Sequence, residues 1–196
     1  MLHDKLKNYH IILASQSPRR KMLLEGLGLE FEILPADVEE IYPPELRYHE
    51  IAIFLSELKA EAFELSKLCE NCLIISADTI VWKDDSILLK PRDEQDAFTI
   101  LKTLSGDMHE VITAVTLRTR QKMKTFYVVT NVYFNSLTDD EIRYYVGHYH
   151  PFDKAGAYGA QDWIGYVGIR RIEGCYFNVV GLPVQQLWKE LNDFLN

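Results

Sequence analysis

The order of apolar and polar positions divides the chain into short buried runs and longer periodic stretches. Ile11 and Ile12 read as a short strand, and Leu23, Leu24 and Leu27 then recur at helical spacing, with Gly26 or Gly28 available to end that helix. Phe31–Pro35 alternates as a brief strand, and an acidic loop follows in which Pro43-Pro44 exclude helix. From about Tyr48 to Leu68 the positions Ile51, Phe54, Leu55, Leu58, Ala62 and Leu65 share one helical face. Leu73–Ala77 is a continuous apolar run, the pattern of a strand buried on both faces, and Ile80-Val81-Trp82 extends it. Asp84-Asp85 predicts a hairpin turn into Ile87-Leu88-Leu89, and Asp93 caps a helix carrying Ala97, Ile100, Leu101 and Leu104. Val111–Leu117 and Thr125–Phe134 alternate as paired strands, and Thr138 with Glu141 forms a capping box for a helix through about Gly147. Tyr166–Ile172 and Tyr176–Val180 read as two more strands before a terminal helix bearing Leu187, Trp188, Leu191 and Leu195. Strands and helices interleave without repeats, low-complexity tracts or linkers. The predicted class is α/β, a mixed sheet with flanking helices, in a single domain over residues 1–196.

Composition narrows the functions open to such a fold. The 196 residues suffice for one sizeable core or two small lobes around a cleft. With 21 basic against 29 acidic residues the net charge is −8, which argues against general nucleic-acid binding but leaves room for a small phosphorylated ligand. No apolar run is long enough for a bilayer, and the first ten residues lack a signal-peptide core, so a cytoplasmic protein without membrane partners is expected. Three cysteines, an odd number, predict reduced thiols and no disulfide framework.

Candidate chemistry begins at Ser15-Gln16-Ser17-Pro18-Arg19-Arg20. Ser17 is a good N-cap and Pro18 suits the first helical position, so a strand delivers two serines and two arginines to a helix N-terminus. Free N–H groups and guanidinium forks there suit a phosphate; the plainer alternative is an ordinary helix start with solvated arginines. Asp78 ends the buried run 73–77, where it can bind a cation or orient water, or serve as a turn residue. Lys59 lies at the edge of its helix's apolar stripe, placed either to reach a ligand or to remain a solvated surface lysine. Lys90 and Arg92 add cations beside the helix start at Asp93, and Asp153–Asp162 is a glycine-rich stretch in which Lys154 supplies another charge. Cys69-Glu70-Asn71-Cys72 lacks a second ligand pair for zinc and closes a helix where a redox motif would open one, so it reads as structural. His148 and His150 form an isolated H-x-H that reads as innocent.

Six stretches together resemble the Maf family of nucleoside triphosphate pyrophosphatases: LASQSPRRKMLL (13–24), SADTIV (76–81), KPRD (90–93), LSGDMHEVITAV (104–115), PFDKAGAYGAQ (151–161) and NVVGLPV (178–184). The resemblance implies an elongated, two-lobed α/β structure like inosine triphosphatase, with the site in a cleft. It implies attack of water on the α-phosphorus, releasing a nucleoside monophosphate and pyrophosphate. By the family pattern Asp78 is the general base, and Arg19, Thr79 and Gln161 are the specificity positions of the branch acting on dTTP and UTP. The stretch Asp153–Tyr158 matches that branch and not the one acting on 7-methyl-GTP. Modified pyrimidine nucleotides stay open as substrates, and a cell-division regulator without turnover is the reading from another class. The family's divalent cation, Mg²⁺ or Mn²⁺, would be held by Asp78 and Glu39. Ser15 or Ser17, with Arg19, Lys59, Lys90 and Lys154, would grip the triphosphate. Family members are often dimers, which makes a homodimer an expectation of the resemblance alone. Two positions depart from the pattern: His150 stands where an acidic residue is usual, and Asp162 where glycine is usual.

Overall fold

A computed structural model describes residues 1–196. In chain order the elements are α1 (Leu2–Leu6), β1 (His10–Leu13), α2 (Pro18–Glu25), β2 (Glu32–Ile33), α3 (His49–Glu61), β3 (Cys72–Lys83), β4 (Ser86–Leu88), α4 (Glu94–Leu104), β5 (Met108–Arg118), β6 (Met123–Phe134), α5 (Asp139–Tyr149), α6 (Trp163–Gly168), β7 (Ile169–Glu173), α7 (Tyr176–Val180) and α8 (Val184–Phe194). The strands form one mixed sheet in the order β2-β1-β3-β5-β6-β7, with β4 paired to β3. β1 runs parallel to both β2 and β3, whereas β4 on β3 and β7 on β6 are antiparallel. This is the mixed α/β sheet that the pattern predicts. No helix is long and apolar enough to cross a membrane.

The chain packs as two compact units. The first comprises Met1–Asp78, Thr113–Val128 and Gly181–Asn196; the second comprises Thr79–Ile112 and Val129–Val180. In the first unit, Ile12, Ala14, Ala60, Phe63, Cys72 and Ile74 pack as an apolar cluster that joins α3 to the parallel strands. In the second, Leu101 and Leu104 of α4 and Ile142, Tyr145 and Val146 of α5 meet Val132 and Phe134 of β6. The chain passes from the first unit to the second within β3, between Asp78 and Thr79.

Local signals set most element boundaries. Ser17 caps α2 by accepting from the Arg20 amide, Asp93 caps α4 through the Asp96 amide, and Thr138 and Glu141 form the reciprocal box on α5. The Asp84-Asp85 turn has positive φ at both residues, 50° and 58°, the geometry of a tight two-residue hairpin.

Three expectations are corrected. Only the part of the segment 166–172 from Ile169 onward is strand, in β7 (Ile169–Glu173), because α6 carries the chain through Gly168. Tyr176–Val180 is helical, although its aromatic and β-branched residues favour strand. There the helical turn points Asn178 inward, where its amide donates to the Val111 carbonyl and the Thr130 hydroxyl, each at 3.0 Å, so tertiary hydrogen bonding outweighs propensity. Cys69 and Cys72 are joined as a disulfide: a turn in which the Cys72 amide donates to the Cys69 carbonyl brings their Cα atoms to 5.5 Å, and Cys175 alone is a free thiol.

Candidate active site

In the first unit, α3 and β3 are locked together by Ser76, whose hydroxyl donates to the Ser56 carbonyl at 2.7 Å. One turn beyond Ser56 on α3 stands Lys59, and two residues beyond Ser76 on β3 stands Asp78. Their side chains meet at 2.5 Å between Nζ and Oδ1, with Asp78 only 7% exposed. The Lys59 ammonium also lies 2.8 Å from Glu40 Oε1, in the acidic loop after β2. Two carboxylates therefore share one buried cation. Burial pushes the Asp78 carboxyl above its ordinary range, and Glu40 pushes the same way, while Lys59 and Arg20 pull it back. A carboxylate tuned upward in this way is better matched to accepting a proton near neutral pH than an exposed one.

The strand-to-helix turn from β1 into α2 completes this constellation. The Ser15 hydroxyl accepts from the Ser17 amide at 3.2 Å and from Arg20 Nη1 at 3.4 Å. Arg20 Nε donates to the Gly181 carbonyl at 2.9 Å, which ties α2 to the segment leading into α8. The guanidinium of Arg20 is thereby held where its charge acts on both Asp78 and Glu40. Arg19 precedes it on the first turn of α2 and is partly exposed. Serine hydroxyls, guanidinium groups and a helix N-terminus beside a buried carboxylate can bind a polyphosphate and hold a base near it.

The second unit carries the other predicted positions. Thr79 follows Asp78 on β3 and is partly exposed, and Lys90 is exposed after β4. The loop 153–162 is shaped by close backbone approach. Gly156 has φ +68°, and a Cβ there would stand 2.8 Å from Val81 Cγ2. Lys154 Nζ lies 2.8 Å from Asp153 and 3.8 Å from Asp162. Gln161 Nε2 donates to Asp162 Oδ1 at 3.1 Å. His109, buried on β5, contacts the Tyr158 hydroxyl through Nε2 at 2.7 Å, and the two rings pack edge to face with Phe134. Burial and the nearby Lys83 charge push the His109 pKa down to about 3, so the ring is neutral.

Of the predicted residues, Lys59 pairs with Asp78 and Ser15 meets Ser17 in the first unit, where Arg20 links the two pairs through its bond to Ser15 and its charge on Asp78, and Arg19 lies on the same helix turn. Lys154 and Gln161 gather around Asp162 in the second. Glu39 is exposed, and its neighbour Glu40 is the one that reaches Lys59. Sequence reasoning missed Glu40 because two adjacent acids in a loop without periodicity are equivalent on paper. It also missed the anchoring role of Arg20, for which the later Gly-Leu-Pro segment was the one available hint. No group of three or more His, Cys, Asp or Glu side chains is arranged to hold a metal ion. Asp78 and Glu40 nonetheless fit a hard divalent ion, which typically takes one or two carboxylates and completes its shell with water and substrate phosphates.

The description "Maf-like protein" matches residues 10–194. A Flavobacterium johnsoniae protein called dTTP/UTP pyrophosphatase is 49% identical, covering 97% of this chain and 98% of its own length. Proteins of the same name from Bacteroides fragilis and Christiangramia forsetii are 52% and 46% identical, over 95% and 100% of this chain and 96% and 100% of their own lengths. Among solved structures, the Staphylococcus aureus Ham1 protein is similar at a TM-score of 0.48 and 15% identity, covering 94% of this chain and 98% of that one. On the family match and these near-full-length relatives, the chain belongs to the Maf family.

Proposed function

We propose that this chain is a nucleoside triphosphate pyrophosphatase that hydrolyses dTTP and UTP to the monophosphate and pyrophosphate. The observation that carries the reading is the buried Asp78 carboxylate, paired with Lys59 at 2.5 Å beside the serine- and arginine-bearing start of α2. Relatives about half identical over nearly their whole length bear the name dTTP/UTP pyrophosphatase, which supports the substrate assignment.

In this reading Asp78 takes the proton from the attacking water as its oxygen approaches the α-phosphorus. The bond from that phosphorus to the bridging oxygen breaks, and pyrophosphate leaves. Arg19, Ser15, Ser17 and the amides of the α2 N-terminus hold phosphate oxygens, and Lys90 and Lys154 are assigned further contacts to the triphosphate. Lys59 keeps Asp78 oriented and offsets the negative charge that develops. Thr79 and Gln161 are assigned to the base, where polar readout discriminates strongly because a wrong base leaves buried groups unpaired. Asp78 and Glu40 would hold Mg²⁺ or Mn²⁺, which would neutralise charge on the triphosphate and acidify water.

The test is pyrophosphate release over a panel of dTTP, UTP, dCTP and 7-methyl-GTP, with and without Mg²⁺ or Mn²⁺. Turnover led by dTTP and UTP supports the assignment. Faster turnover of 7-methyl-GTP, or none on any member, overturns it.

A further inference from the structure

The glycine-rich loop ends in a hydrogen-bonded cluster built on Asp162. An ionised carboxylate only accepts hydrogen bonds, so each of its neighbours must present a donor. Oδ2 accepts from the Tyr145 hydroxyl at 2.8 Å, and the Tyr145 oxygen accepts in turn from the Gly159 amide at 3.1 Å. Oδ1 accepts from Gln161 Nε2 at 3.1 Å. The backbone presses against this pair, since a Cβ on Gly159 would stand 2.5 Å from both Asp162 Oδ2 and Gln161 Nε2. With Tyr145 on one oxygen, Asp162 has its other oxygen for Gln161, and it can receive only the NH₂ end of that amide.

The consequence falls on the opposite end. Gln161 Oε1 is buried and has no hydrogen-bond partner. A buried carbonyl that is left unpaired is costly, so the loop holds a standing demand for a donor. The chemistry of that demand is specific. The N3 position of thymine and uracil carries an N–H, whereas N3 of cytosine is a bare acceptor that would face the carbonyl lone pairs.

We propose that Asp162 is a positioning residue that fixes Gln161 as a hydrogen-bond acceptor, and that the chain thereby selects bases offering an imide N–H over cytosine. This rests on the reading that Gln161 faces the base of a nucleoside triphosphate. Replacing Asp162 by asparagine keeps the shape but allows the neighbouring amide to turn over, because an asparagine can donate as well as accept.

Binding of the non-hydrolysable α,β-methylene analogues of dUTP and dCTP, measured by calorimetry, reads the effect without requiring turnover. Wild type binds the uracil analogue at least about tenfold more tightly than the cytosine one, the worth of one well-placed hydrogen bond in a dry site. Asp162→Asn brings the two to within about threefold, chiefly by weakening the uracil analogue. Tyr145→Phe, which frees one carboxylate oxygen, lowers the ratio part of the way and serves if the asparagine variant does not fold. A merely structural role would weaken both analogues alike and leave the ratio unmoved. Equal binding by wild type, or a wild-type ratio in a variant with an intact thermal transition, overturns the proposal. Parallel pyrophosphate release from dTTP separates the two readings. If release fails while the binding ratio behaves as described, the hydrolase assignment falls and the base-reading role of Asp162 stands.

Discussion

His109 makes acid stability a quantitative probe of the second unit's core. Its ring is 1% exposed, and Nδ1 has no hydrogen-bond partner, so protonation would place an unpaired charged donor in the interior. With a folded-state pKa of about 3 against an ordinary 6.5, the unfolded chain takes up the proton first as the pH falls. The stability tied to the neutral ring is therefore complete above 6.5 and is lost progressively as the pH falls toward about 3. Proton linkage gives a loss of about 2 kcal/mol between pH 7 and pH 5 from this one residue. That window lies above the range where the paired surface carboxylates titrate, so the two contributions separate. The perturbation is His109→Gln, which stays neutral at every pH and retains a polar end for Tyr158. Urea unfolding at pH 7 and pH 5 should show wild type losing about 2 kcal/mol more than the variant over that interval, even though the variant is less stable at pH 7. If wild type and variant lose stability in parallel, His109 is not held neutral by burial and the reasoning fails.

Further outcomes follow from the same geometry. Lys59→Met removes a cation that holds the Asp78 carboxyl down, so the acid limb of a kcat/KM profile for dTTP moves to higher pH, with a loss of at least about tenfold at neutral pH; an unmoved limb counts against the pairing. Gly156→Ala forces a positive φ on a side chain and drives its Cβ toward Val81, costing about 2–4 kcal/mol in urea unfolding, and adding Val81→Ala should return the steric part while the backbone part stays. Asn178→Ala strips the Val111 carbonyl and Thr130 hydroxyl of a buried donor, lowering stability by about 2–3 kcal/mol; a change within 0.5 kcal/mol, on the order of an ordinary surface substitution, would contradict that role.

What could be read from sequence was what is encoded locally. Ser17, Asp93 and Thr138 are caps recognisable from a few neighbours, and the apolar run before Asp78 marks a central strand whatever surrounds it. The alternation in β5 and β6 likewise carries its own evidence. Residues whose state depends on distant partners were not legible. Lys59 sits at the edge of a helical stripe, where exposure is the ordinary outcome, and only the docking of α3 on β3 through Ser76 buries it against Asp78. The choice of Glu40 over Glu39 depends on how an aperiodic loop descends toward that lysine. Tyr176–Val180 has strand-like composition, and its helix exists because Asn178 must reach β5 and β6. The odd number of cysteines says nothing about a tight turn that brings Cys69 and Cys72 together. The six motifs point to candidate residues without revealing which of their neighbours hold them.

The proposed role of Asp78 as the base of a pyrophosphatase site is tested by pyrophosphate release from dTTP by wild type and Asp78→Asn, with nucleotide binding followed in parallel. An asparagine keeps the shape and loses the proton acceptor. Turnover should fall by about 10²–10⁴-fold, the usual worth of a general base, while the affinity for the α,β-methylene analogue of dUTP changes by less than about tenfold. An asparagine variant that turns over dTTP at near the wild-type rate would contradict it.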